Sequence, residues 1–198
     1  VRYTHRQLSA VRDVLATHFA ITPDTGLVTG FAPFALLGPA LGTRSATPDM
    51  DVSAPRTLTA RAVAAAVRAA DARIVFLSPA AILNVVATAD ALSSADRAAL
   101  ASVRTFLSTG APVGEPLLAA AADLMPNAEA HTPYGMTECL LVADVTLEGI
   151  RAAADAPDRG VCVGAPIGHN RVLISALDSA GRAVGEPGAE PNVLGEVV

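Results

Sequence analysis

Leu8, Val11, Leu15 and Phe19 recur at spacings of three and four residues, the period of one buried stripe along a helix. Just before them, Thr4-His5-Arg6-Gln7 has the form of a capping box, in which the Thr hydroxyl and the Gln side chain satisfy opposing amides at a helix start. A helix from there to about Phe19 is expected, with His5 and His18 on its surface or caps. The period then changes. Residues 26–32 make a short apolar run that reads as a strand, and 33–42 reads as a turn entering a short helix of small residues. An alanine-rich helix over 59–70 feeds a strand at 73–77. Ser78-Pro79 opens the next helix, with Ser as cap and Pro at the first helical position, and 80–89 continue it. Ser93-Ser94-Ala95-Asp96 starts another. A strand at 104–108, a turn at 109–112, a helix at 115–124, a short run at 128–132, a strand at 139–143 and a surface helix at 146–154 complete the series.

Strands alternating with helices imply a mainly parallel sheet covered on both faces, and such sheets bind ligands beyond the carboxyl ends of their strands. Past residue 160 the helical patterns stop. Residues 171–177 and the turn Asp178-Ser179-Ala180-Gly181-Arg182 read as a hairpin, and 185–192 as a loop rich in Gly and Pro. The expected fold is therefore α/β: a mainly parallel sheet flanked by helices over 1–145, then a linker helix and the start of a small antiparallel β subdomain over 146–198. No internal repeat is present.

Composition narrows the function. With 198 residues, 52% of them apolar, the chain can bury a sizeable core. A net charge of −5 without a basic cluster argues against nucleic acid or an anionic membrane as partner. No apolar run is long enough to span a bilayer, and the first residues are polar rather than signal-like. Cys139 and Cys162 lack metal-ligand spacing and suit a reducing cytoplasm, the expected location. All fourteen basic residues are arginine, so any chemistry that needs an ammonium must come from outside these residues. There is no initiating Met, and Gly195-Glu196-Val197-Val198 begins a strand with nothing after it; an excised piece of a longer chain is expected.

Chemistry concentrates at His131-Thr132-Pro133-Tyr134-Gly135-Met136-Thr137-Glu138, a polar cluster between two apolar runs and hence at a strand end. An aromatic face can stack on a nucleobase. Glycine lets backbone approach a ligand closely, a threonine hydroxyl can donate to a phosphate oxygen, and a carboxylate can hold a hard cation such as Mg²⁺. Together they describe a nucleotide-phosphate and metal site; a solvated turn leading into a strand is the plain alternative. Upstream, Thr109-Gly110-Ala111-Pro112 lies where a parallel strand would end, with Gly110 permitting close approach and Pro112 fixing the turn.

The segment 134–138 resembles the Y-G-x-T-E signature of the adenylate-forming superfamily of acyl-CoA synthetases, luciferase-like enzymes and peptide-synthetase adenylation domains. Three further segments are similar to that family's pattern in the same order: Val1-Arg2-Tyr3-Thr4-His5-Arg6-Gln7-Leu8 to the V-x-Y-T-H-x-x-L that follows its lysine-bearing phosphate loop, Gly110-Ala111-Pro112 to its G-A-P element, and Gly160-Val161-Cys162-Val163-Gly164-Ala165-Pro166 to its G-x-x-V-G-x-P. The resemblance implies an ATP- and Mg²⁺-dependent activation of a carboxylic acid as an acyl-adenylate. Gly110, Ala111 and Pro112 would border the adenine and Tyr134 would stack on it. Thr137 would contact the α-phosphate and Glu138 would hold Mg²⁺, both as catalytic residues. Thr132, Pro133, Gly135 and Met136 would complete the ATP-binding segment.

Phe34, Ala35 and Gly38 fall where the family's P-x-F-H-x-x-G motif lines the acyl pocket, with Ala35 in place of the usual histidine. Plain core packing is an equal reading for each. The form F-A-L-L-G-P-A-L-G, followed by Pro48-Asp49-Met50-Asp51, resembles the β-lactone synthetases of olefin biosynthesis more than ordinary acyl-CoA ligases. This implies a long-chain, 3-hydroxy fatty acid and a β-lactone product. The alternatives are a fatty acyl-CoA synthetase, with coenzyme A as acceptor, and a non-catalytic α/β nucleotide-binding module. The family's phosphate loop, ribose-binding aspartate and lysine-bearing C-terminal domain have no counterpart in residues 1–198, so this piece alone is expected to be inactive.

Overall fold

A computed structural model describes residues 1–31, 34–35, 37–154 and 160–198. In chain order the elements are α1 (His5–His18), β1 (Leu27–Thr29), α2 (Leu37–Leu41), β2 (Ser45–Ala46), α3 (Ala60–Ala70), β3 (Ile74–Phe76), α4 (Pro79–Ala87), α5 (Ser94–Leu100), β4 (Thr105–Leu107), α6 (Glu115–Leu124), β5 (Glu129–His131), β6 (Tyr134–Met136), β7 (Cys139–Asp144), α7 (Leu147–Ala153), β8 (Ala165–Pro166), β9 (Ile174–Ala176) and β10 (Gly195–Val197).

The main sheet has the order β2-β1-β3-β4-β5, with every neighbouring pair parallel. Alternation along its strands divides the core in two. Val28, Val75, Phe106 and Ala130 face a layer built from α3, α4, α5 and α6. Leu27, Ile74, Phe76 and Leu107 face the opposite way, toward Leu15 and Phe19 of α1 and Leu141 of β7. Burial on both faces is what a parallel sheet requires, and the α/β expectation holds.

Local signals place the helix starts. Thr4 accepts from the Gln7 amide while the Gln7 side chain accepts from Thr4, a complete capping box. Ser78 caps α4 with Pro79 at its first turn. Ser93 and Asp96 form a second capping box at α5. Asp96 also receives Arg68 of α3 at 2.6 Å, and that bond, with those from Ser93, lowers the carboxyl to about 2.

Two smaller sheets follow. β6, β7 and β8 form an antiparallel set, and β9 pairs with β10. The hairpin expected around 178–182 closes through the isolated bridges Leu177↔Ala183 and Ile174↔Gly188; the strand partner of β9 is β10, further along the chain. Leu147 and Ile150 of α7 pack on the same core as α6. Among the expected features, Ala32, Pro33 and Leu36 of the strand and pocket segment lie outside the described residues.

Candidate functional site

Parallel pairing of β4 with β5 in the register Leu107↔His131 brings the segments that follow these strands side by side. After β4 come Ser108 and the turn 109–112; after β5 come Thr132, Pro133 and β6. The Thr109 hydroxyl donates to the Pro133 carbonyl at 2.5 Å and ties the two segments together. Between them and α7 opens a cavity of about 510 Å³, within the usual range for small-molecule sites. Its walls include Gly110, Ala111 and Pro112 on one side and Thr132, Pro133, Tyr134 and Gly135 on the other. Seven of the residues named from the sequence for ATP are thus gathered around one space.

Gly110, at φ +97°, has a left-handed backbone that a side chain disfavours, and no atom crowds the place where a Cβ would stand. Its freedom serves the turn. Gly135 is different: a Cβ there would collide with the Leu140 carbonyl. Its small size allows the close approach of β7 within the hairpin.

Met136, Thr137 and Glu138 are not part of the cavity wall. Met136 pairs with Cys139, so Thr137 and Glu138 form the two-residue tip of the β6–β7 hairpin, and both are exposed. The expected loop at a strand end is thus a strand and turn in its own right. Among the described residues, no group of three or more His, Cys, Asp or Glu is arranged to hold a metal ion, and Glu138 stands as a single carboxylate. Phe34 packs edge-on against Phe76, with ring centroids 4.6 Å apart. A Cβ on Gly38 would meet the Ser45 side chain. Phe34, Ala35 and Gly38 are separate from the cavity wall.

Several site residues escaped the sequence reading. Val113, Ile150 and Cys162 contribute to the cavity. At the other end of the hairpin, Asp144 Oδ2 accepts from His131 Nδ1 at 2.7 Å and from His18 Nε2 at 2.9 Å. Asp144 Oδ1 is buried without a hydrogen-bond partner among the described residues. Burial alone disfavours charge on His131, but the Asp144 bond and charge, reinforced by Glu129, outweigh it and raise the imidazole above its ordinary range. Glu129 Oε2 lies 3.2 Å from His131 Nε2. Both ring nitrogens therefore face carboxylates, an arrangement only the imidazolium satisfies fully. Burial likewise pushes Asp144 up, while the His131 and His18 bonds pull it below the usual carboxylate value. The signal for this cluster is three-dimensional: His18 and Asp144 are 126 positions apart.

The profile of the family described as AMP-binding enzyme matches residues 2–198. Over 184 residues the chain is 37% identical to an olefin beta-lactone synthetase of Xanthomonas campestris pv. campestris and 36% identical to one of Stenotrophomonas maltophilia. Each match covers 91% of this chain and 32% of the relative, so the chain spans about a third of the curated relatives' length. Among solved structures, the amide bond synthetase McbA from Marinactinospora thermotolerans superposes with a TM-score of 0.67 at 21% identity, covering 96% of this chain and 35% of that one. The luciferase-like enzyme of the Zophobas morio mealworm gives 0.65 at 18%, covering 98% and 44%. These two share the fold. With a family match across nearly the whole chain and relatives that agree with its motif form, the chain belongs to the AMP-binding family of adenylate-forming enzymes.

Proposed function

We propose that residues 1–198 form the adenine-binding part of an ATP-dependent acid ligase whose substrate is a long-chain, 3-hydroxy fatty acid and whose product is a β-lactone. The observation that carries this reading is the cavity at the carboxyl ends of β4 and β5, whose wall holds both Gly110–Pro112 and Tyr134. Its one aromatic wall and flat glycine-alanine-proline turn suit a purine ring. In the proposed reaction a carboxylate oxygen of the acid attacks the α-phosphorus, the bond to the β-phosphate breaks, and acyl-adenylate and pyrophosphate result. The 3-hydroxyl oxygen then attacks the acyl carbon, displacing AMP and losing its proton. Thr137 donates to the α-phosphate. Glu138 would hold Mg²⁺ through its carboxylate, and the ion would supply charge that offsets the phosphates. The relatives named as olefin beta-lactone synthetases favour the β-lactone over a coenzyme A thioester.

The test is pyrophosphate release by the intact protein over a chain-length series of fatty and 3-hydroxy acids, with products identified by mass spectrometry. We expect long 3-hydroxy acids to be preferred and a β-lactone to form; a thioester as sole product overturns that assignment, and no pyrophosphate with any acid overturns the ligase reading. Residues 1–198 alone should show no ATP–pyrophosphate exchange, because a triphosphate would meet no lysine. Ala35→Trp in the intact protein should shift preference toward shorter acids, since each methylene buried is worth roughly 0.8 kcal/mol. Equal chain-length profiles would remove Phe34, Ala35 and Gly38 from the pocket.

A further inference from the structure

Thr137 and Glu138 occupy an unusual turn. Two-residue hairpin loops normally take a positive φ at one or both central positions, because that backbone twist matches the strands they join. Neither Thr137 nor Glu138 has one. The ladder below them also slips in register between Tyr134 and Met136. Among the described residues, neither side chain makes a hydrogen bond that would fix the tip. Local preference therefore leaves this turn under-determined, although it carries the two residues whose placement the adenylation reading most depends on.

One bond reaches it from elsewhere. The Tyr3 hydroxyl donates to the Thr137 carbonyl at 2.7 Å, across 134 positions of the chain. Tyr3 is itself well placed to hold. The next residue, Thr4, caps α1 through its reciprocal bonds with Gln7, and α1 is fastened to the sheet by buried Leu15 and Phe19 and by the His18–Asp144 bond. The rigid helix thus extends a phenol to the hairpin tip. Partial desolvation, with Cys139 and Glu138 nearby, raises the phenol above its ordinary range, so it remains a donor at neutral pH.

We propose, on the basis of the adenylation reading above, that Tyr3 is a positioning residue which holds the Thr137–Glu138 turn in its working conformation through the Thr137 carbonyl. It touches neither nucleotide nor acid. Because the bond is to backbone, it sets the direction of both side chains together.

The experiment is Tyr3→Phe in the intact protein, which removes one oxygen. We expect kcat for pyrophosphate release to fall about three- to tenfold, the range a single net hydrogen bond supports. KM for the acid and the melting temperature should stay unchanged. In a Thr137→Val/Glu138→Gln background the same change should have no further effect on rate, since both side chains it positions have lost their function. Hydrogen exchange at the amides of 137–139 should rise while that of α1 does not. Parental kcat, effects additive with the Thr137→Val/Glu138→Gln pair, or unchanged exchange at the tip overturn the proposal. A fall in kcat with a lower melting temperature and faster exchange throughout marks a merely structural residue and also overturns it. Should the intact protein release no pyrophosphate at all, the ligase reading fails, and the exchange measurement alone still decides whether Tyr3 fixes the turn.

Discussion

The two ends of the β6–β7 hairpin are held by opposite means. At its base, the Asp144 side chain is only 6% exposed and accepts from His18 and His131 within 2.9 Å, joining α1, β5 and β7 in one charged cluster. At its tip, exposed Thr137 and Glu138 are held by one neutral bond from Tyr3. Breaking a buried ion pair leaves an uncompensated charge and is costly, whereas a neutral surface bond contributes little net. The base is thus anchored and the tip is adjustable. Under the proposed adenylation reading, a segment that meets a phosphate and a metal would gain from that division, because the strands stay in place while the turn adapts.

Removing the anchor gives the largest expected effect. Asp144→Ala leaves His131 facing no acceptor at Nδ1 and should destabilise the protein by about 3–5 kcal/mol, read by thermal unfolding. If it costs no more than Tyr3→Phe, the contrast between base and tip collapses. At the tip, Glu138→Gln should lower the adenylation rate by about a hundredfold, the scale of losing one preorganised charge in such a site, with stability changed by less than about 0.5 kcal/mol. Parental activity would make the tip a structural turn. Thr109→Val removes the bond that closes the cavity walls and should cost about 1 kcal/mol, weakening nucleotide binding by about fivefold in a titration. Undiminished binding would show that the strands alone align the two segments.

The smallest effect is a pH dependence that belongs to the base alone. His131 is raised in the folded state, so its contribution is complete below about 6.5 and is lost as pH rises through the higher folded value. Asp144 is lowered, so its contribution is present above its ordinary value near 3.8 and is lost as pH falls through the folded one. His18 and Glu129 are the other titratable groups in contact. The cluster should stabilise most between these limits, and the melting temperature should decline from pH 6 to pH 8. That decline should vanish in Asp144→Asn; an identical decline would place the titrating group elsewhere.

Features with local causes were legible in the sequence. The capping box at Thr4, the helix starts at Ser78-Pro79 and Ser93 and the apolar runs at 74–76 and 105–107 all owe their form to near neighbours, and the parallel α/β sheet followed from their alternation. Gly110–Pro112 and Thr132–Gly135 were named from their letters, and the structure gathers them around one cavity. What was not legible depends on distant partners. β2 and β8 are two residues each and exist through the strands beside them. β9 finds β10 rather than its nearest neighbour in sequence. β6 contains glycine, which weakens strand patterns, and forms because β7 lies against it. His18 is exposed, as expected, but its bond to Asp144 was not legible because the partner is 126 positions away.

That separation has a consequence for how the chain is made. β1, β3, β4 and β5 are laid down in an order that adds each new strand beside the last, so the sheet can grow as it leaves the ribosome. α1 emerges before all of these strands, yet the partners that lock it, Asp144 and Thr137, arrive 126 and 134 residues later. At translation rates of about 5–20 residues per second the delay is roughly 6–25 s. Through that interval Leu15 and Phe19 have only the early strands to cover them, and α1 should acquire its full protection after the helices that follow it.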